Sequence, residues 1–211
     1  MKLMVNSLPK SGTHLLVKLL ELSEFKFSGI NFSSTNVHGK HKLIKQMLRG
    51  CYPLSKAIDV GLDIPSVVRR RWVISGMRKT KTMQYMGGHF PYSDQMQWLL
   101  DKHEIKTIYM IRDPRDVILS WAHYVPRTTW HYGKEGLVGK TLEERILLLL
   151  HGYQSGQYEI EGFRNILRKS EGWVDADNIC VVRFEDIVGV RGGGSDDRQD
   201  ECIERIMNFC G

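Results

Sequence analysis

With 211 residues, 42% of them hydrophobic, the chain is long enough to bury a core and too apolar to be disordered; we read residues 1–211 as one domain. The formal charge of +6 suits a polyanionic ligand, nucleic acid or an acidic surface, and alone it chooses none of them. No apolar run approaches the ~20 residues of a membrane span, and the N-terminus enters the first predicted strand with no room for a signal peptide or anchor.

That strand is the apolar start Leu3, Met4 and Val5, and the helix it leads to carries Leu15, Leu16, Val17, Leu19 and Leu20. Between them lies Asn6 to His14, with Gly12 at the bend. Backbone N–H groups converge at such a turn, and the helix dipole adds partial positive charge. Lys10 brings a full charge, and Ser11 and Thr13 bring hydroxyl donors. The segment reads as a loop for an anion, foremost a phosphate; a plain strand-to-helix turn has similar residues. It is not a Walker A loop, because Lys10 precedes the Gly instead of following it.

The stretch from Phe25 to Met83 shows no comparable motif. Arg69, Arg70, Arg71, Arg78, Lys79 and Lys81 form its densest basic run, read as a solvated face. Trp72 is its one aromatic residue and no aromatic ladder interleaves with it, which argues against single-stranded nucleic acid. A strand over Thr82–Gly88 then precedes His89, Phe90 and Pro91, with a helix expected from Ser93 to His103. A His leaving a strand end before a Pro turn faces the ligand-binding rim of an open α/β sheet. Its ordinary pKa suits general-base work on an alcohol. The other reading is a half-buried loop His bonded to backbone.

Lys106–Arg112 is an apolar run ending in a basic residue, as in a buried parallel strand whose C-terminal end meets a ligand. Asp113 and Pro114 open a helix through Val117, Ile118, Trp121 and Tyr124, with Pro suited to a first helical turn. Arg112 and the helix hydroxyl of Ser120 make a candidate second phosphate clamp, since guanidinium binds phosphate bidentately. Arg112 could equally pair with Asp113 or Asp116. Helical periodicity returns over Thr141–Tyr153, with a Thr141/Glu144 capping box, and over Tyr158–Lys169. A strand follows at Asn178–Phe184, then a flexible loop over 191–196 and a last helix, Asp197–Cys210. Alternating strands and helices predict an α/β fold: a mostly parallel central sheet with helices on both faces.

Of the remaining histidines, His123 is assigned to helix packing. His38, His41, His103, His131 and His151 show no metal-like spacing, and no metal site is expected. Cys51, Cys180, Cys202 and Cys210 lack the spacing of a disulfide framework, which points to a reduced, cytoplasmic compartment.

Two segments together resemble a known family. Residues 8–14 (LPKSGTH) look like the 5′-phosphosulfate loop, PKSGTTW, of PAPS-dependent sulfotransferases. Residues 112–124 (RDPRDVILSWAHY) are similar to that family's 3′-phosphate segment, R-[DN]-P-[KR]-D-x-x-x-S-x-x-H, with the Arg-to-Ser spacing matched. Residues 181–187 (VVRFEDI) resemble a later strand that commonly ends in Tyr-Glu-Asp. The resemblance runs in order over nearly the whole chain. It implies a P-loop-like strand–loop–helix and sulfuryl transfer from PAPS to an acceptor hydroxyl or amine. His89, in the family's H-x-P context, would be the base and Lys10 would stabilise the leaving oxygen. Lys10, Ser11, Gly12, Thr13 and His14 would hold the 5′-phosphosulfate, with His14 acting through its backbone, and Arg112 with Ser120 the 3′-phosphate. Leu15 and Phe184 occupy the places of an adenine-stacking Trp and a Tyr.

The expected partner is a small-molecule, glycan or lipid acceptor, with no nucleic acid and no metal. Its pocket is expected from Phe25–Met83 and Val125–Lys140, where Trp72, Phe90, Trp130 and Tyr132 could form apolar walls, though ordinary packing is the first reading of each. Relatives continue into a Gly-rich R-K-G-x-x-G-x-W-K segment that closes over the nucleotide. Gly211 precedes it, so a fragment or a half-open nucleotide site is expected. A small-molecule kinase and a non-catalytic nucleotide- or partner-binding fragment remain alternatives.

Overall fold

The computed structural model describes residues 1–34 and 57–211. His38, His41 and Cys51 lie outside them. The main sheet is built from β1 (Lys2–Ser7), β2 (Lys26–Phe32), β5 (Gln84–Gly88), β6 (Ile105–Ile111) and β9 (Ile179–Arg183), in the order β2-β5-β1-β6-β9. Every pairing in it is parallel. Two short antiparallel pairs accompany it: β3 (Ala57–Asp59) with β4 (Val67–Arg69), and β7 (Tyr153–Ser155) with β8 (Tyr158–Ile160).

A central strand of a parallel sheet is apolar on both faces, and successive side chains divide between them. In β1, Leu3 and Val5 pack with Leu16 and Leu20 of α1 (Thr13–Leu22) and with Cys202, Ile206 and Cys210 near the C-terminus. Met4 joins the other face, with Val73 and Met77 of α2 (Arg70–Lys79) and Met96, Leu99 and Leu100 of α3 (Asp94–Lys102). Each fully buried side chain of this size contributes about 1.5–3 kcal/mol. Helices therefore cover both faces, as the alternating pattern predicts. In α2 the basic residues Arg71 and Arg78 are exposed while Val73, Gly76 and Met77 are buried, so the basic run is a solvated face.

A third cluster lies beyond the sheet. α4 (Pro114–Arg127), α5 (Lys134–Leu137), α6 (Leu142–His151) and α7 (Phe163–Ser170) bury Val117, Trp121, Val125, Leu137, Leu149, Phe163 and Ile166 with Tyr153 and Ile160 of the hairpin. The capping box forms as expected: Thr141 Oγ1 accepts from Glu144 N, and Glu144 Oε2 from Thr141 N. The expectation of helix from Tyr158 fails at its first turn. Gly156, at φ 55°, supports a two-residue turn that pairs Ser155 with Tyr158, and helix resumes only at Phe163.

At the C-terminal end, Phe184 opens a short α8 (Phe184–Ile187) instead of closing β9. Residues 190–192 form a 3₁₀ turn that overlaps the start of the stretch expected to be loop, and α9 spans Asp196–Cys210. His123 is exposed on α4, which corrects its assignment to packing.

Candidate active site at the carboxyl ends of three adjacent strands

In an open parallel sheet, ligands bind beyond the carboxyl ends of the strands. β5, β1 and β6 are neighbours, and each ends at one of the predicted groups: His89 after β5, the Lys10 loop after β1, and Arg112 after β6.

The anion loop turns through two left-handed residues, Lys10 at φ 69° and Gly12 at φ 93°. Gly12 is also required by space, because a Cβ there would lie 2.3 Å from Phe184 Cδ2. No side chain caps α1 and its first turn holds no acidic residue, so its leading amides remain open to an anion. Ser11 is wholly buried, and its Oγ has no hydrogen-bond partner among the described residues. A buried hydroxyl without a partner is unfavourable; an anion in the loop would supply one.

Lys10 Nζ sits 3.8 Å from the centre of the Tyr124 ring, a cation–π contact that holds the ammonium over α4. Burial, and secondarily the Arg112 charge, push its pKa down. The Arg112 guanidinium stacks 4.2 Å above Phe184, donates Nη1–H to the Lys10 carbonyl at 3.4 Å, and lies 3.6 Å from Asp116. Its buried Nε has no partner. The Asp116 pair foreseen as the alternative is thus present, but it leaves part of the guanidinium unused. Asp113 caps α4, accepting from Arg115 N at 2.9 Å, while its own N–H donates to Glu185 Oε1 at 2.7 Å. Glu185 therefore fastens the Arg112 turn to the end of β9.

His89 is anchored on both sides. Its backbone N–H donates to the Phe32 carbonyl at 3.1 Å, and its ring Nδ1 lies 2.8 Å from the Ser7 carbonyl oxygen. A carbonyl only accepts, so the ring proton is on Nδ1 and Nε2 carries the lone pair. Ser7 Oγ, 3.2 Å from Nδ1, also meets Thr13 Oγ1 at 2.6 Å, which links the base to the anion loop. Asn6 clamps the next residue, with its side-chain oxygen accepting from Phe90 N and its Nδ2 donating to Phe90 O, both at 3.2 Å. Burial lowers the His89 pKa and the His14 charge adds to this, against the opposing effects of the Ser7 carbonyl and Asp63. Burial thereby favours the neutral imidazole.

The other predicted groups divide. Thr13 is half-buried at the start of α1, and His14 and Leu15 are exposed on its first turn. Ser120 is half-buried midway along α4. Phe90 is no pocket wall: it is 1% exposed in the core beside Trp173. Trp72 packs edge-on against Phe32, and Trp130 is largely exposed. Tyr132 contacts His131 and donates its hydroxyl to Asp63 Oδ2. Sequence reading singled out neither Ser7, Asn6, Tyr124 nor Glu185. Of these, Tyr124 and Glu185 lay within the matched segments, and the flanking motifs were the available signal.

Among the described residues, no group of three or more His, Cys, Asp or Glu is placed to hold a metal ion. No helix among them is long and apolar enough to cross a membrane.

The fold and the loop define an α/β protein with an uncapped strand–loop–helix at the head of its parallel sheet. The chain belongs to the sulfotransferase domain family, whose model matches residues 1–211. No curated protein sequence matches it significantly. A crystal structure of mouse sulfotransferase SULT7A1 complexed with PAP is similar at 14% identity and a TM-score of 0.54, over 100% of this chain and 58% of that one. A retinol dehydratase in complex with androsterone and inactive cofactor PAP aligns over 100% of this chain and 64% of its own, at 15% identity and a TM-score of 0.47. The chain thus spans about three fifths of these relatives. Shikimate kinase from Bacteroides thetaiotaomicron shares the fold end to end, at 9% identity and a TM-score of 0.52 over 99% and 97% of the two chains.

Proposed function

We propose that the chain transfers a sulfuryl group from PAPS to an acceptor hydroxyl or amine. The observation that carries this reading is the arrangement of three groups on one rim: the uncapped loop with its Ser11 hydroxyl and the Arg112 Nε, neither partnered among the described residues, and His89 with its Nδ1 on the Ser7 carbonyl. Family membership supplies the donor class.

In this reading Ser11, Gly12, Thr13 and His14 hold the 5′-phosphosulfate. Arg112 and Ser120 hold the 3′-phosphate, while Leu15 and Phe184 lie against the adenine. PAPS supplies an activated sulfuryl group. His89 Nε2 takes the acceptor proton as the acceptor atom bonds to sulfur and the bond from sulfur to the bridging oxygen breaks. The Lys10 ammonium then stabilises the charge left on that oxygen. Preorganised charge of this kind and in-line positioning do most of the work.

The functional test pairs calorimetry with PAP and label transfer from PAPS to a panel of phenols, lipids, sugars and amines, with and without EDTA. PAP should bind, and transfer should survive the chelator. The kinase likeness keeps metal-dependent phosphoryl transfer as a second reading, and abolition by EDTA would select it. PAP binding without transfer to any acceptor would leave a nucleotide-binding module.

Arg112→Ala is expected to weaken PAP binding by roughly 10- to 100-fold, since a charge-assisted pair with phosphate contributes about 1.5–3 kcal/mol. Its melting temperature should stay near that of the parent. Unchanged PAP affinity in a natively folded variant would remove Arg112 from the 3′-phosphate site.

A further inference from the structure

Asp63 is a buried carboxylate, 5% exposed, in the segment between β3 and β4. Its Oδ1 accepts from Ser34 Oγ at 2.8 Å and from Ile64 N at 3.0 Å, and its Oδ2 accepts from the Tyr132 hydroxyl. No Lys or Arg among the described residues forms an ion pair with it. Neutral donors orient a buried carboxylate but cancel its charge only in part, so the carboxylate favours a positive charge arriving nearby.

Its position says which charge that is. Ser34 lies two residues beyond Phe32, whose carbonyl accepts the His89 N–H. On the other side Tyr132 packs against His131 at 4.5 Å between ring centres, and His131 packs edge-on against Tyr124, the ring beneath the Lys10 ammonium. Ser34 thus ties Asp63 to the strand end that holds the His89 backbone, and Tyr132 with His131 ties it to the ring beneath Lys10. Around His89, α1 presents His14, which opposes protonation. β1 presents the Ser7 carbonyl, and the segment between β3 and β4 presents Asp63; both favour it. Asp63 also acts on His131, which burial otherwise holds neutral.

We propose that Asp63 is a positioning residue for the transfer: held by Ser34 and Tyr132, its carboxylate stabilises the imidazolium that His89 becomes on taking the acceptor proton. The proton moves from the acceptor to His89 Nε2 and goes no further. The proposal rests on the reading of His89 as base, but its test requires no turnover.

Imidazole titrations by NMR on the 211-residue chain provide that test. Asp63→Asn keeps the size and an acceptor oxygen while removing the charge. The His89 midpoint should move to lower pH, with His103, at the opposite end of the sheet, unmoved. Tyr132→Phe retains the charge and should not produce that fall. An unchanged His89 midpoint in folded Asp63→Asn overturns the proposal and leaves Asp63 as a structural tie. Should Asp63→Asn fail to fold, the parent chain decides: its Asp63 carboxyl carbon should show an inflection at the His89 midpoint, and a flat trace there also overturns it. Absence of PAP binding or transfer would instead count against the proposed function, and neither enters these titrations.

Discussion

His89→Ala is expected to lose 10²- to 10⁴-fold in turnover, the usual contribution of a positioned general base, while PAP binding stays nearly intact. The ring lies at the end of β5, tied to β1 through Ser7, and only Ser7 Oγ joins it to Thr13 of the anion loop. Truncating it removes the proton acceptor and leaves the loop backbone in place. The pH profile checks the same assignment. Burial sets the His89 pKa below the ordinary imidazole value, so the neutral base persists to lower pH, and the acid limb of the parent should fall below the ordinary imidazole range. That limb should vanish in the residual activity of the variant. Full activity of His89→Ala with any acceptor that the parent sulfates would refute the mechanism. Ping-pong kinetics with a labelled enzyme would make His89 a nucleophile instead.

The parts of this site legible in sequence are those whose chemistry and placement are set locally. The turn at Lys10 and Gly12 follows a short apolar strand and precedes a helix, and Arg112 ends a strand that Asp113 and Pro114 stop. Spacing marked these motifs, and the resemblance to sulfotransferases gave them their roles. His89 stood out only in that family's H-x-P context, because by itself it read first as a half-buried loop His between Gly88 and a Pro turn. Gly88 itself leaves room there, since a Cβ would lie 2.4 Å from a Phe90 ring carbon and 2.7 Å from the Phe32 carbonyl oxygen.

What sequence did not show is what depends on contacts between distant segments. Asp63, Ser34 and Tyr132 share no spacing; the β2 end and the loop before α5 bring them together. Asn6 read as part of the loop, yet it clamps Phe90 across 84 residues. The segment at 158–160 was misread because apolar residues there also fit a helical stripe, while Gly156 between Tyr153–Ser155 and Tyr158–Ile160 allowed a hairpin. For Phe90 the sequence left two places open, with packing favoured. An aromatic residue one place from a candidate base can turn into the pocket or into the core, and the Asn6 clamp together with Trp173, whose Nε1–H donates to the Phe90 carbonyl at 3.1 Å, belongs to the second arrangement.

Lys10→Ala should injure both stages of the reaction, which distinguishes it from His89→Ala. PAP affinity should fall, because an ammonium beside the open end of α1 attracts phosphate in the ground state. Turnover should fall further, by roughly 10²- to 10³-fold at saturating donor, because charge grows on the leaving oxygen only as the sulfur–oxygen bond breaks. Lys10→Arg separates charge from shape. It keeps the charge but replaces a compact ammonium, held over Tyr124, with a planar fork that cannot place one proton at one oxygen as closely. PAP binding should recover in Lys10→Arg, and most of the lost turnover should not. Donor titrations of kcat and KM for the two variants, beside PAP calorimetry, would read this out. If Lys10→Ala lost affinity alone and kept kcat, Lys10 would bind the donor equally in both states, and stabilisation of the leaving oxygen would have to come from the amides of the loop.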